Sequence, residues 1–292
     1  ICYVTINSEH GLVKEHIRAG GRAVVLEKGM NGDMITIYDN GTHMPVLWSH
    51  LIPATMEGKA MFNVQNAMFA TGMAYSFGVD LDNIRHGLRT FDTSFFQAPG
   101  RMNVFDEHAF KVILDYAHNP AAFHAIADLV DRLDVTGRRL AVVAVPGNRR
   151  DEDVSEATEI LAGHFDHYIC KADDNRRNRG HDEIPQMLRK GFMERGVDEN
   201  AITLIPSEVE AVDYALSMAQ EGDLVVVFGD DSARCWKQII YFNTENMPTP
   251  EANTQKDEVE VVKLKDIMGE GETLIRDERG VRLARNTDEA SD

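Results

Sequence analysis

The sequence predicts an α/β fold, a mostly parallel sheet with helices on both faces, and three observations predict it. Between Arg101 and Phe242, short apolar runs alternate with runs that carry apolar residues at helical spacing, the pattern of strands joined by crossover helices. Strand runs such as Leu224-Val225-Val226-Val227-Phe228 are apolar throughout, which marks strands buried on both faces. Polar motifs follow these runs directly, at the strand ends where open parallel sheets place ligands.

The elements follow in chain order. Residues 1–6 read as a strand, and residues 1–55 as short strands with turn signals, among them 22–27 and 34–38. Asp39-Asn40-Gly41 is a hairpin signal, because Asn-Gly tolerates positive φ. Val64, Ala67, Met68, Ala70, Met73 and Ala74 recur at helical spacing and stop near Gly78. Residues 81–88 suggest a short helix, and Pro99-Gly100 marks a boundary. Beyond it the strands are 112–116, 140–145, 167–170, 202–205 and 224–228. The helices between them are 120–133, 152–165, 182–194 and 207–219, and one more starts at Asp231. This is a Rossmann-like arrangement over residues 99–243. Residues 244–292 read as an acidic tail, partly disordered, with a linker at Met247-Pro248-Thr249-Pro250 and a strand at 259–264.

The chain has 292 residues, enough for two domains of roughly 150 residues. Its 30 Lys and Arg face 48 Asp and Glu, a net charge of −18. That argues against a nucleic-acid binder, which needs a basic face to displace counterions. No apolar run approaches the ~18 residues of a membrane helix. Cys2, Cys170 and Cys235 lie far apart with no zinc or redox spacing, which fits a reducing, cytoplasmic compartment. The chain opens on a strand with neither an initiator Met nor a signal peptide, so residues 1–98 read as the end of a domain.

Four motifs carry candidate chemistry. Asp115-Tyr116-Ala117-His118-Asn119-Pro120 joins a strand to a helix, with Pro120 suited to the first turn. A carboxylate at that strand end can accept from ribose hydroxyls; the competing reading is that Asp115 and Asn119 cap the helix and His118 is a satisfied polar group. Pro146-Gly147-Asn148-Arg149-Arg150-Asp151 offers close backbone approach at Gly147 and two guanidinium groups for a phosphate or carboxylate, or it is a charged surface turn. Lys171-Ala172-Asp173-Asp174-Asn175-Arg176-Arg177-Asn178-Arg179 mixes arginines with aspartates. Such a loop can hold an amino acid by both its charges, or it is simply solvated. Asn63 and Asn66 share a helix face and can read adenine through paired donors and acceptors; otherwise one caps and one is a buried polar residue. Phe228-Gly229-Asp230-Asp231-Ser232 reads mainly as turn and N-cap. No Gly-x-x-x-x-Gly-Lys-Ser/Thr, complete Gly-x-Gly-x-x-Gly, His-Glu-x-x-His or Gly-x-Ser-x-Gly occurs.

In chain order, Phe62-Asn63-Val64-Gln65-Asn66, Pro99-Gly100-Arg101, Asp115 to Pro120 and Gly147-Asn148-Arg149-Arg150-Asp151 resemble the Mur ligase superfamily of ATP-dependent amide-forming enzymes. Within it, Pro99 to Asn103, Pro146 to Asp153 and Lys171 to Asp174 are most similar to the cyanophycin synthetase family. The resemblance spans residues 1 to about 242. It implies that residues 1–98 are the end of a central, ATP-binding domain and 99–243 a lid domain. It also implies an acyl phosphate made from ATP and attacked by an amine. Asn63, Asn66, Arg101, Asp115, His118 and Asn119 would then lie at the nucleotide. Gly147, Arg149, Arg150, Asp173, Asp174, Asn175, Arg176 and Arg179 would lie at the substrate. The implied substrates are arginine and a poly-aspartate acceptor of the cyanophycin type, with Asp173 and Asp174 suiting a guanidinium. The implied assembly is a homo-oligomer. Magnesium ligands and the phosphate-binding loop would lie upstream, so these 292 residues alone are expected to be inactive. The alternatives are a ligase of peptidoglycan precursors or folate, and a non-catalytic nucleotide-binding module. Arg177 stands where some relatives have the proline of an Asp-Asn-Pro-Arg motif, which implies a different substrate.

Overall fold

A computed structural model describes residues 1–242 except 176 and 178, together with the strands 272–277 and 280–285. The chain forms two compact units, 1–244 and 245–292.

The first unit opens with β1 (Cys2–Thr5), α1 (Gly11–Arg18), β2 (Arg22–Gly29), β3 (Gly32–Asp39) and β4 (Thr42–Trp48), in sheet order β1-β2-β3-β4. β1 runs parallel to β2, and the remaining pairs are antiparallel. Asn40 and Gly41 turn the β3–β4 hairpin with φ of 47° and 76°, the conformation the Asn-Gly pair selects. Two 3₁₀ turns lead to α2 (Met61–Ser76) and α3 (Leu81–Thr90). Val24, Leu26, Ile35 and Ile37 of the sheet and Val64, Met68, Ile84 and Leu88 of these helices form one buried core.

A second sheet follows. It comprises β5 (Asn103–Phe105), β6 (Lys111–Asp115), β7 (Arg139–Val143), β8 (His167–Cys170), β9 (Ile202–Leu204) and β10 (Leu224–Phe228), in the order β5-β6-β10-β7-β8-β9. Only β5 is antiparallel to its neighbour. The connecting helices are α4 (Pro120–Arg132), α5 (Asp151–Leu161), α6 (Glu183–Glu194) and α7 (Glu208–Met218), and α8 (Ser232–Tyr241) follows β10. Strand residues alternate between the two faces. Ile113, Ala141, Val143, Tyr168 and Val226 pack with α4, α5 and α6, while Val112, Leu114, Leu140, Ile169 and Val227 pack with α7 and α8. β10, the last of these strands in the chain, lies between β6 and β7.

The sequence reading of residues 1–55 as strands alone is corrected by α1. Its core-facing pair, buried Val13 and partly buried Ile17, is too short a pattern to register as a helix. The helix expected at 152–165 ends at Leu161. Gly163 turns with φ of 86°, and the buried Tyr168 hydroxyl donates to the Leu161 carbonyl at 2.8 Å and accepts from Gly163 N at 2.9 Å. A side chain from the next strand thus takes over the bonds of the missing turn. β5, which the sequence reading does not separate from its loop, is a three-residue edge strand.

In the second unit, β11 (Glu272–Asp277) and β12 (Gly280–Arg285) pair antiparallel, a hairpin absent from the sequence reading. The strand expected at 259–264 lies outside the described residues.

Candidate functional site

The segment joining the two sheets is built around Asn103. Its buried side chain accepts from Gly100 N at 2.7 Å and donates to the carbonyls of Thr93 and Ala98 at 3.0 and 2.9 Å. Gly100 has φ of 69°, and a Cβ there would lie 2.1 Å from Ser232 Oγ. Glycine is therefore required twice over, by conformation and by space. Met102 turns with φ of 53° and directs its amide to Asp115 Oδ2 at 2.8 Å.

Above this segment lies a cavity of about 940 Å³, at the upper end of the range for small-molecule sites. Asn63, Asn66, Arg101 and Asp115 all line it, among apolar residues of α2, α3 and α4. Asn63 donates to the Ala54 carbonyl at 2.7 Å and accepts from Asn66 Nδ2 at 3.2 Å. Asn63 is thus a bracket, and Asn66 keeps its own carbonyl and one N–H for a ligand. Burial pushes the Asp115 carboxyl above its usual range, against the pull of the Met102 amide and the Arg101 charge. The Arg101 guanidinium sits 5.5 Å over the Tyr116 ring. His118 and Asn119 do not line the cavity. His118 Nδ1 lies 2.9 Å from the Tyr116 carbonyl, and Asn119 caps α4 by accepting from Ala122 N at 3.0 Å.

The loops after β7 and β8 meet through Arg179. It donates to the carbonyls of Gly147 and Arg149 at 3.1 and 2.6 Å, to Asp151 at 2.9 Å and to Glu183 at 2.6 Å. Arg150 is engaged with Asp153 at 2.7 Å in a reciprocal cap of α5. Asp173 accepts from Asn175 N at 2.6 Å, and Asp174 pairs with Arg234. Arg149 Nε is buried without a partner. Among the described residues, no hydrogen bond or ion pair engages the Arg149 or Arg177 side chain. Arg176 lies outside the described residues.

A buried cluster beside these loops was not visible in the sequence. Lys171 and Glu208 are fully enclosed and 2.8 Å apart, and Lys171 also meets Asp230 at 2.9 Å. Burial works against both charges. The two carboxylates nevertheless hold Lys171 above its ordinary value, and Lys171 with the other donors brings Glu208 down to about 2. Asp230, by contrast, is raised by burial. The only sequence signal was Glu208 following the Ser207 cap, which reads equally as a first-turn acid.

Residues 100–230 match the family model of the Mur ligase, glutamate ligase domain. They belong to the Mur ligase family. The chain is 37% identical over 234 residues to a cyanophycin synthetase of Synechocystis, covering 80% of this chain and 26% of that protein. With one from Nostoc it shares 38% over 239 residues, 82% of this chain and 26% of the relative. The chain therefore spans about a quarter of the length of these relatives. A UDP-N-acetylmuramoyl-L-alanyl-D-glutamate--2,6-diaminopimelate ligase of Corynebacterium efficiens is 31% identical over 217 residues, 72% of this chain and 38% of that one. Among solved structures, E. coli FolC in complex with ADP aligns with a TM-score of 0.55 at 21% identity, over 74% of this chain and 46% of FolC. MurF from Acinetobacter baumannii aligns with a TM-score of 0.53 at 15% identity, over 82% and 51% of the two chains. The α/β fold expected from the sequence is the fold these structures share.

Among the described residues, no three His, Cys, Asp or Glu side chains converge as a metal site. No helix among them is long and apolar enough to cross a membrane.

Proposed function

We propose that this chain is the lid-bearing part of an ATP-dependent ligase that adds arginine to the β-carboxyl groups of poly-aspartate, as a homo-oligomer in the cytoplasm. The identity to cyanophycin synthetases across four-fifths of the chain carries the reading. The cavity beside Asp115 supports it. Its size suits a nucleotide, and its apolar walls with few polar groups suit a purine and a ribose.

In this reading Asn66 faces adenine, Asp115 accepts from the ribose beside its bonds to the Met102 and Ala117 amides, and Arg101 adds positive charge on the phosphate side. The reaction transfers the γ-phosphoryl of ATP to a carboxylate and releases ADP. The amine then attacks the carbonyl carbon, and phosphate leaves. The loops after β7 and β8 hold the incoming amino acid. Arg149 and Arg177, whose side chains make no hydrogen bond or ion pair among the described residues, offer positive charge for its carboxylate, and Asp173 offers negative charge for its guanidinium. Bound magnesium would neutralise phosphate charge, with ligands from outside the described residues.

The 292 residues contain no Gly-x-x-x-x-Gly-Lys-Ser/Thr loop, so on their own they lack the group that cradles the phosphates. An assay coupling ADP release to arginine and a poly-aspartate primer tests both parts of the proposal. Turnover is expected from a chain that also carries such a loop, and none from these residues alone. Brisk turnover by the 292 residues overturns the division of labour. Failure of arginine, with turnover on diaminopimelate, overturns the substrate.

A further inference from the structure

We propose that Glu208 is a positioning residue that sets the affinity of the ligase for its incoming amino acid, by locking the loops after β8 and β10 into one arrangement. The inference rests on the reading above, in which the loop carrying Asp173 holds that substrate.

Glu208 is the first residue of α7, is 2% exposed, and lies on a different element from either loop. Four nitrogen donors converge on its carboxylate, and the Cys235 thiol lies against it as well. Oε2 accepts from Lys171 at 2.8 Å and from Asp230 N at 2.7 Å. Oε1 accepts from Asp231 N at 3.2 Å and from the Arg234 guanidinium. Two of these donors, Lys171 and Arg234, continue outward. Lys171, directly after β8, also binds Asp230 Oδ2, and that oxygen accepts from Asp174 N at 3.1 Å. Arg234 in the first turn of α8 reaches Asp174 as well. The Asp174 backbone and side chain are therefore both fixed by groups that Glu208 fixes, and Asp173 is the adjacent residue.

Stability is a poor reason for such a cluster. Enclosing an ion pair costs about as much in lost hydration as the attraction returns, and apolar residues of the same volume often serve as well. What the charges add is direction. A carboxylate held by donors from both loops and from α8 admits one arrangement of those loops. The cluster also decides which acids remain for a ligand. Asp174 is engaged by Arg234, and Asp173 is the neighbouring carboxylate left to meet a cationic substrate.

The test uses Glu208→Gln and Arg234→Met in the active ligase, with Asp173→Asn as the reference for the substrate site. Arg234→Met leaves Lys171 and both amides on Glu208, so it keeps the buried ion pair that Glu208→Gln removes. The expected result is an arginine KM raised about 10-fold or more, with the ATP KM within two-fold. Amide hydrogen exchange at Asp174, Asp230 and Asp231 is expected to be faster in both variants. An unchanged arginine KM in both, while Asp173→Asn raises it, overturns the proposal and leaves the substrate site standing. Equal rises in the ATP and arginine KM overturn it too, since they report general loosening. If none of the three variants changes the arginine KM, the substrate reading falls and the proposal with it.

Discussion

The Arg179 guanidinium donates its Nε–H to the Gly147 carbonyl at 3.1 Å, across a sequence separation of 32 residues. With its bonds to the Arg149 carbonyl, Asp151 and Glu183, this side chain is committed to holding two loops together. Arg179→Ala leaves two carbonyls without their donor and is expected to destabilise the chain by about 1–3 kcal/mol. Arg179→Lys, which keeps the charge without the planar fork, is expected to recover less than half of that. Urea unfolding of the 292-residue chain measures both, and equal stability of Lys and wild type contradicts the role of the fork.

Asp115 is expected to matter for nucleotide binding beyond its bond to the Met102 amide. Asp115→Asn keeps an oxygen for Met102, so the hinge is retained while the charge is lost. Affinity for ADP is expected to fall about 10-fold, the scale of one hydrogen bond to a charged group. Calorimetric titration reads this directly, and unchanged affinity removes Asp115 from the site.

Lys59 and Asp134 join the two halves of the first unit at 2.9 Å, but Asp134 is 95% exposed. Solvent screens such a pair, and a double-mutant cycle is expected to give no measurable coupling. The apolar contacts beside it carry more. Ala60 is buried in the core of the second sheet, with Met56 and Phe62 packed against it. Phe62→Ala is expected to cost about 2 kcal/mol or more, and a smaller loss than that of the ion pair reverses the ranking.

The Glu208 carboxyl, brought down to about 2 from 4.5, gives a pH dependence of definite sign. A group whose pKa is depressed by folding stabilises the native state above its unfolded value and loses that contribution as pH falls through its folded value. Stability from Glu208 is therefore present above about 4.5 and fades between about 4.5 and 2, on the order of 3 kcal/mol at most. Asp230, raised by burial, opposes part of it. Glu208→Gln is expected to flatten this limb of the acid-unfolding curve, and an identical limb in the variant excludes Glu208 as its source.

Much of the second sheet was legible before any coordinates. The strands at 167–170 and 224–228 and the caps Ser207 and Asp231 follow from apolar runs and cap chemistry alone, because the forces that set them act between near neighbours. The end of α5 was not legible, since a hydroxyl from the following strand terminates the helix. The same holds for the candidate site. Asn63, Asn66, Arg101 and Asp115 were named from their motifs, yet only folding brings them to one cavity and leaves His118 and Asn119 off its lining.

The sequence by itself determined the α/β class and the placement of polar motifs at strand ends through periodicity and local chemistry, and its motifs carry the resemblance to Mur ligases. Tertiary structure decided which charges are spent and which are free. Arg179, Arg150 and Asp174 are paired within the fold, and Glu208 becomes the centre of a buried cluster. The physical reason is that an ion's partner and its hydration depend on neighbours distant in sequence, and the order of residues along the chain does not state them.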